Sequence, residues 1–131
     1  MTFLYTNSRL TFFLPSSGIN FIDIYYRDGL YPVPDNTVLG AEAGGTVVQC
    51  LDGDKDRWQN RRVVFFSMGG FAEYSCVPIN KLIPVPDDIP MATALALTIM
   101  GLTAHYLCLS TGQLTKDSHG EVILFPSFQA R

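Results

Sequence analysis

Apolar residues fall into short runs along the first half of this chain, separated by turns rich in glycine and proline. Residues 43–51 and 63–66 are apolar runs of strand length, and residues 71–78 alternate between apolar and polar positions. Runs of this length with β-branched and aromatic residues predict β-strands. Residues 121–125 predict one more strand near the end of the chain.

Two other regions predict helix, and the N-terminus is harder to interpret. Residues 19–26 predict a short helical turn, and Pro90 suits the first position of a helix that is rich in alanine and leucine. A second helical stretch, 102–110, follows Gly101. Aromatic residues within 1–17 are compatible with a strand, which Pro15 and the residues up to Gly18 are expected to break.

The segment 89–115 contains no Asp, Glu, Lys or Arg, and its length alone would allow a membrane span. Against a span stand Pro90, Gly101, His105 and several threonines, with no Lys/Arg cluster at either flank. We therefore predict a buried helical segment of a globular core. The N-terminus lacks the basic start and unbroken apolar run of a secretory signal.

Composition narrows the class of protein. A chain of 131 residues with 47% hydrophobic and 16% charged residues suits one folded domain. Its net charge of −3 offers no basic surface for nucleic acid. Three cysteines (Cys50, Cys76, Cys108) without a CxxC pair predict neither a disulfide framework nor a zinc cage. They fit a reducing compartment, and we expect a cytoplasmic protein without a nucleic-acid or membrane partner.

Few motifs carry chemistry by themselves. His105 and His119 have no adjacent ligand set, so His105 is predicted to be a helix-face or core residue rather than a metal ligand. Glu42 lies among small residues in 40–45, where a carboxylate either forms local hydrogen bonds or points into a site. Asn20, Tyr25 and Tyr31 are compatible both with packing and with a binding site.

Residues 18–32 (GINFIDIYYRDGLYP) closely resemble the opening active-site segment of a known enzyme family. This family is the zinc-independent quinone oxidoreductases, the zeta-crystallin-like branch of the medium-chain dehydrogenase/reductase superfamily. The resemblance continues in register and covers about 18–125. It includes 39–47 (LGAEAGGTV), 62–64 (RVV), 69–74 (GGFAEY), 81–87 (KLIPVPD) and 101–106 (GLTAHY).

The resemblance implies a fold that is mainly β with helices. It implies part of a GroES-like β-barrel catalytic domain, followed by the first elements of a Rossmann-type α/β domain. On this basis residues 1–17 are an atypical leader, 18–89 the partial GroES-like domain, and 90–131 the helices and first strand of a truncated cofactor-binding domain.

The resemblance also implies the roles of four residues. Asn20 and Thr103 would border the nicotinamide end of NADPH, and Tyr25 and Tyr31 would line the pocket for a quinone or enone. Tyr31 would be the donor to the developing oxyanion. Zinc-dependent relatives have Cys and His where Asn20 and Ala41 stand here, so no metal is expected.

Residues 126–131 (PSFQAR) depart from the family, because a glycine-rich turn is expected after the strand 121–125. Two hypotheses follow, and the sequence leaves open whether this chain is itself an enzyme. One is an NADPH-dependent quinone oxidoreductase impaired by truncation. The other is a non-catalytic GroES-like module that forms a homo-oligomer or pairs with a full-length reductase. An exposed apolar patch is expected at Leu95, Leu97, Ile99, Leu102 and Phe125.

Overall fold

A computed structural model describes residues 9–50 and 55–120 of the chain. The described residues form a sheet with helices, so the prediction of a mainly β fold with helices is confirmed. The strands are β1 (Arg9–Gly18), β2 (Glu42–Cys50), β3 (Arg62–Phe66), β4 (Tyr74–Pro78) and β5 (Leu82–Pro84). The helices are α1 (Phe21–Arg27), α2 (Lys55–Trp58) and α3 (Met91–Thr111), with a 3₁₀ turn at Ile79–Lys81.

The order of the strands forces the sheet to curl. The five strands lie in the order β4-β1-β2-β3-β5, with all neighbours antiparallel. A flat sheet of this size would place its edges roughly 19 Å apart. However, β4 and β5 are the two edges, and the 3₁₀ turn Ile79–Lys81 alone connects them. Such a turn rises only about 2 Å per residue, so the edges must come together and the sheet forms part of a barrel.

Strand β1 lies inside this sheet, between β2 and the edge strand β4. The prediction that Pro15 and the following residues break the strand is wrong. The strand continues to Gly18, and its register against β2 shifts between Phe13 and Ser16. Proline is tolerated in a strand at such an irregularity, because the ladder there does not need the N–H that proline lacks.

The residues of β3 alternate between two clusters of buried side chains. Val63 and Phe65 belong to the larger cluster, which also includes Leu14, Ala43, Val47, Cys50, Trp58, Val77 and Leu82. Val64 points to the opposite face and packs with Val85 and Leu95, beside Ile89, Met91 and Ala94. The second cluster therefore attaches the start of α3 to the sheet.

The prediction of a buried segment at α3 is wrong, because α3 contacts the rest of the described chain mainly along one face. Within it only Leu95 and Thr98 are buried. Leu97 and Leu102 are more than half exposed, as expected for an apolar patch, whereas Leu95 is buried against β3. Residues 121–125, with Phe125, lie outside the described residues.

The two predicted helical stretches form one continuous helix, since Gly101 does not interrupt α3. Its turns are α-helical at Met91–Ala96 and Leu102–His105 and π-type at Leu97–Gly101 and Tyr106–Thr111. By length and composition alone α3 could cross a membrane, a criterion that helices of soluble proteins also meet.

Replacing the adjacent residues Phe65 and Phe66 one at a time should show which face of β3 is buried in the core. Phe65 is 0% exposed and Phe66 is 52% exposed. We expect Phe65→Ala to lower the free energy of unfolding by about 3–5 kcal/mol through cavity formation. Phe66→Ala should lower it by less than about 1 kcal/mol. Urea denaturation of both variants measures the difference, and equal losses would contradict the assignment of the core.

Candidate functional site

The N-terminus of α1 is attached to the start of β2 by a buried carboxylate. Asn20 is the N-cap residue of α1. Its backbone N–H donates a hydrogen bond to Oδ2 of Asp23 at 2.8 Å. The other oxygen, Asp23 Oδ1, accepts from the N–H of Ala41 at 2.8 Å. Asp23 is only 5% exposed, so both hydrogen bonds form away from bulk water, where they stabilise the charge most effectively.

A second carboxylate, Glu42, makes the reciprocal connection from β2. Glu42 is 5% exposed, and its Oε1 accepts a hydrogen bond from Nδ2 of Asn20 at 3.0 Å. Its Oε2 accepts from the backbone N–H of Ile99 at 2.9 Å. Ile99 lies in the π-type turns Leu97–Gly101, and its N–H donates to this carboxylate. Departures of this kind from the α-helical ladder are frequent at functional sites.

The start of α1 and one side of α3 line an open cavity of about 460 Å³, and the two residues that donate to Glu42, Asn20 and Ile99, are part of its lining. Most of its wall is apolar, and Asn20 and Thr103 supply an amide and a hydroxyl. The lining consists of Asn20, Phe21, Ile22, Ile99, Met100, Thr103, Ala104, Leu107 and Cys108. An apolar pocket with a few polar groups is the usual form of a small-molecule site.

The predicted tyrosines meet at the other end of α1. The helix ends in a Schellman motif, in which the N–H of Leu30 bonds to the carbonyl of Tyr25 and the N–H of Gly29 to that of Tyr26. Gly29 has φ +76°, a conformation that glycine adopts readily. This reversal lays Tyr31 against the helix, with its ring centroid 5.6 Å from that of Tyr25 in an edge-to-face contact.

The structure therefore groups the four predicted site residues into two pairs. Asn20 and Thr103 line the same cavity, whereas Tyr25 and Tyr31 contact each other and are absent from its lining. Tyr25 follows Asn20 by five residues, so the two pairs are separated by roughly 7–8 Å along α1. His105 is exposed on α3, which agrees with a helix-face residue.

Sequence reasoning missed Asp23 and the backbone N–H of Ile99 as parts of this site, and it left the role of Glu42 open between two alternatives. Glu42 carried a signal, since an acidic residue within a buried run of small residues needs hydrogen-bond donors. Of the two alternatives that its position left open, the structure shows local hydrogen bonds, and these reach a residue of the cavity. Nothing in the pattern around Ile99 could have revealed its role, because that role depends on a departure from regular helix geometry.

The curled antiparallel sheet and the site at its edge match a known domain. Residues 14–87, more than half of the chain, match the alcohol dehydrogenase GroES-like domain. The chain belongs to this family.

Comparisons with whole proteins place this GroES-like chain in a particular branch. It is 38% identical to the quinone oxidoreductase of Pseudomonas aeruginosa over 112 residues, which are 82% of this chain and 33% of that protein. The chain thus spans about a third of the length of this relative. The predicted membership of the quinone oxidoreductase branch of the medium-chain dehydrogenase/reductase superfamily is confirmed.

Solved structures agree with the sequence comparison. A quinone oxidoreductase of Pseudomonas syringae superposes with a TM-score of 0.75 and 34% identity, covering 82% of this chain and 34% of that one. Escherichia coli quinone oxidoreductase complexed with NADPH gives a TM-score of 0.74 and 33% identity, covering 80% of this chain and 33% of that one. The GroES-like part of the predicted fold is therefore confirmed, whereas the division of the chain at residues 17 and 89 stays a prediction.

Substitution of Gly29 should disturb the Tyr25–Tyr31 pair through the backbone conformation, because the added side chain itself would touch no other residue. A Cβ at Gly29 would meet nothing within 4 Å, so Gly29→Ala should cost about 1 kcal/mol of stability through its positive φ alone. We expect the ring resonances of Tyr25 and Tyr31 to shift in NMR spectra. Gly120→Ala, at φ +72° and equally uncrowded, is the matched control. Unchanged tyrosine resonances in Gly29→Ala would show that the turn does not place Tyr31.

Proposed function

We propose that this chain provides the substrate side and the nicotinamide contacts of an NADPH-dependent oxidoreductase that reduces a quinone or an enone. The observation that carries the proposal is the cavity between α1 and α3, where Asn20 and Thr103 are the polar groups on a mostly apolar wall. Its volume of about 460 Å³ is sufficient for an aromatic ring with a small polar substituent. NADPH, when bound, supplies the hydride.

The residues of the cavity fit the ring end of the cofactor. Phe21, Met100 and Leu107 offer apolar surface to a flat ring. Asn20 donates one N–H of its amide to Glu42, and its NH₂ keeps a second N–H that can be donated to a ligand. Thr103 can donate or accept through its hydroxyl. Together these two groups would orient a carboxamide on the ring.

We propose that the tyrosines act at the substrate end. The Tyr31 ring packs against those of Tyr25 and Tyr26, at centroid distances of 5.6 and 5.7 Å. These contacts restrict the orientation of the Tyr31 ring, and its side chain remains partly exposed and accessible. A hydroxyl held in this way would donate to the oxygen of a conjugated carbonyl as negative charge develops there.

The names of the relatives support this proposal. The Pseudomonas aeruginosa relative is a quinone oxidoreductase, and the Escherichia coli structure contains NADPH. The quinone oxidoreductase activity and NADPH are carried over from those larger proteins to this chain as parts of the proposal. An enone as a second possible substrate and a cytoplasmic location are further parts of the same proposal.

A cofactor titration with a matched pair of threonine variants tests the proposal. We expect the chain to quench NADPH fluorescence and, with a benzoquinone, to oxidise NADPH. Thr103→Ala removes one hydrogen-bonding group from the cavity and should weaken NADPH binding roughly two- to tenfold. Thr93→Ala, at an exposed position on the same helix outside the cavity, should leave binding unchanged. Absence of NADPH binding by the unmodified chain would overturn the proposed catalytic role.

The alternative function is a non-catalytic module that associates with another chain. The exposed apolar side chains of α3 favour it: Met100 is 70% exposed, and Leu97, Leu102, Tyr106 and Leu109 are about half exposed or more. Apolar surface of this extent on one helix is typical of interaction sites. The partner would be a full-length reductase or a second copy of the chain.

Size-exclusion chromatography distinguishes the module from the enzyme. If the chain acts as a module, it should co-elute with a full-length quinone oxidoreductase while binding no NADPH itself. Leu102→Glu should abolish the co-elution, because it places a charge in the apolar surface. Ser110→Glu adds the same charge at an exposed polar position of α3 and serves as the control. A monomer that elutes alone at all concentrations would contradict the module hypothesis.

A further inference from the structure

A second cavity, of about 230 Å³, lies beside the turn that follows α2. It is lined by Arg57, Trp58, Arg61 and Pro84. The side chains of arginine and tryptophan donate hydrogen bonds and do not accept them, and the side chain of proline has no polar atom that could accept one. The side chains of this wall therefore offer positive charge and donors without an acceptor, which is the surface that an anion requires.

The turn beside this cavity is held to β2, away from the candidate site. The backbone N–H of Val47 donates to the carbonyl of Arg61, and the N–H of Asn60 donates to the carbonyl of Val47, both at 3.0 Å. Val47 follows Glu42 by five residues, so roughly 16 Å of β2 separates this turn from the carboxylate of the candidate site. The two cavities are therefore distinct sites.

The two arginines keep most of their donors available. Arg61 Nε donates to the carbonyl of Arg57 at 3.3 Å, which leaves both terminal NH₂ groups of Arg61 for another acceptor. The guanidinium carbon of Arg57 lies 5.4 Å from the ring centroid of Trp58. Both arginines are exposed, and neither forms an ion pair with a carboxylate of the described residues. Their two positive charges are thus not neutralised by a contact within the described part of the chain.

The indole of Trp58 adds a donor for which the chain provides no acceptor. Trp58 is 5% exposed, and it belongs to the larger core cluster, which anchors the turn. Within residues 9–50 and 55–120, its Nε1 is the buried side-chain donor that lacks a hydrogen-bond partner. Such groups are uncommon in folded proteins and call for an explanation. The partial positive charge of this N–H lies beside two guanidinium groups, and an oxyanion in the cavity would offset all three.

We propose that this cavity binds the phosphate group of a small molecule, with Arg57 and Arg61 as its ligands. A phosphate monoester carries close to two negative charges at neutral pH, which match the two guanidinium groups. Each guanidinium can donate two parallel hydrogen bonds to phosphate oxygens. Because the cavity lies away from Asn20 and Thr103, its ligand is independent of the oxidoreductase function proposed above.

The fluorescence of Trp58 provides a direct measurement, because it is the only tryptophan of the chain. Titration with inorganic phosphate at neutral pH should change the Trp58 emission in a saturable manner. It should also shift the indole N–H resonance in NMR spectra. Sodium chloride at the same ionic strength should produce neither effect. An equal response to chloride would indicate general screening of charge and would overturn the proposal.

Variants of the two arginines test which groups hold the phosphate. Arg57→Gln and Arg61→Gln should each weaken phosphate binding roughly three- to tenfold, and the double variant should abolish saturation. Lys116→Gln removes the same charge from an exposed position beyond α3 and should leave the affinity unchanged. Thermal unfolding of each variant verifies that it is folded, as expected for exposed positions. Equal affinities of the arginine variants and Lys116→Gln would contradict the assignment of the site.

Two further comparisons complete the test. Phosphate should bind roughly three- to tenfold more tightly than acetate, which carries a single charge, and equal affinities would refute the choice of phosphate. Absence of saturation, as expected if the neighbouring Asp52, Asp54 and Asp56 neutralise the arginines, would refute the site itself. Thr103→Ala should bind phosphate like the unmodified chain, so the outcome here does not depend on whether NADPH binds.

Discussion

Two buried carboxylates, each of which needs hydrogen-bond donors, organise the end of this domain that holds the candidate site. Asp23 on α1 accepts a hydrogen bond from the backbone N–H of Ala41, just before β2. Glu42 on β2 accepts one from the side-chain amide of Asn20, just before α1. Each element thus supplies a carboxylate to the other. Removing either acceptor would leave buried donors without partners, which costs about 1–3 kcal/mol for each group.

The same requirement explains the small residues around Glu42. Gly18 leaves room for the carboxylate, and Gly70 allows its loop to approach the backbone of Glu42. Gly44 faces the sulfur of Met91, since a Cβ there would lie 2.4 Å from Met91 Sδ. Gly44 therefore allows the start of α3 to pack closely against the sheet.

Much of the fold could be predicted from the sequence, because strand length and turn residues are local signals. The predicted strand 63–66 begins one residue after β3, and the predicted strand 43–51 begins one residue after β2 and ends one residue beyond it, outside the described residues. The position of β1 between β2 and β4 could not be predicted, since it depends on pairing with β4, far along the chain. At the site, the family resemblance pointed to Asn20 and Thr103, which share a cavity. The contact of Ile99 with Glu42 could not be predicted, because it joins residues 57 positions apart.

The position of β1 between β2 and β4 sets the order in which the described sheet is completed during synthesis. Arg9 pairs with Pro78, so β1, the first of the described strands, obtains its outer neighbour only after about 70 further residues have been added. At the usual rate of translation this takes roughly 4–14 s. During that interval β1 can pair with β2 but exposes its other edge, and closure of the curled sheet waits for β4 and β5. The nascent chain is therefore most vulnerable to wrong strand pairing in the seconds before residue 84 is made.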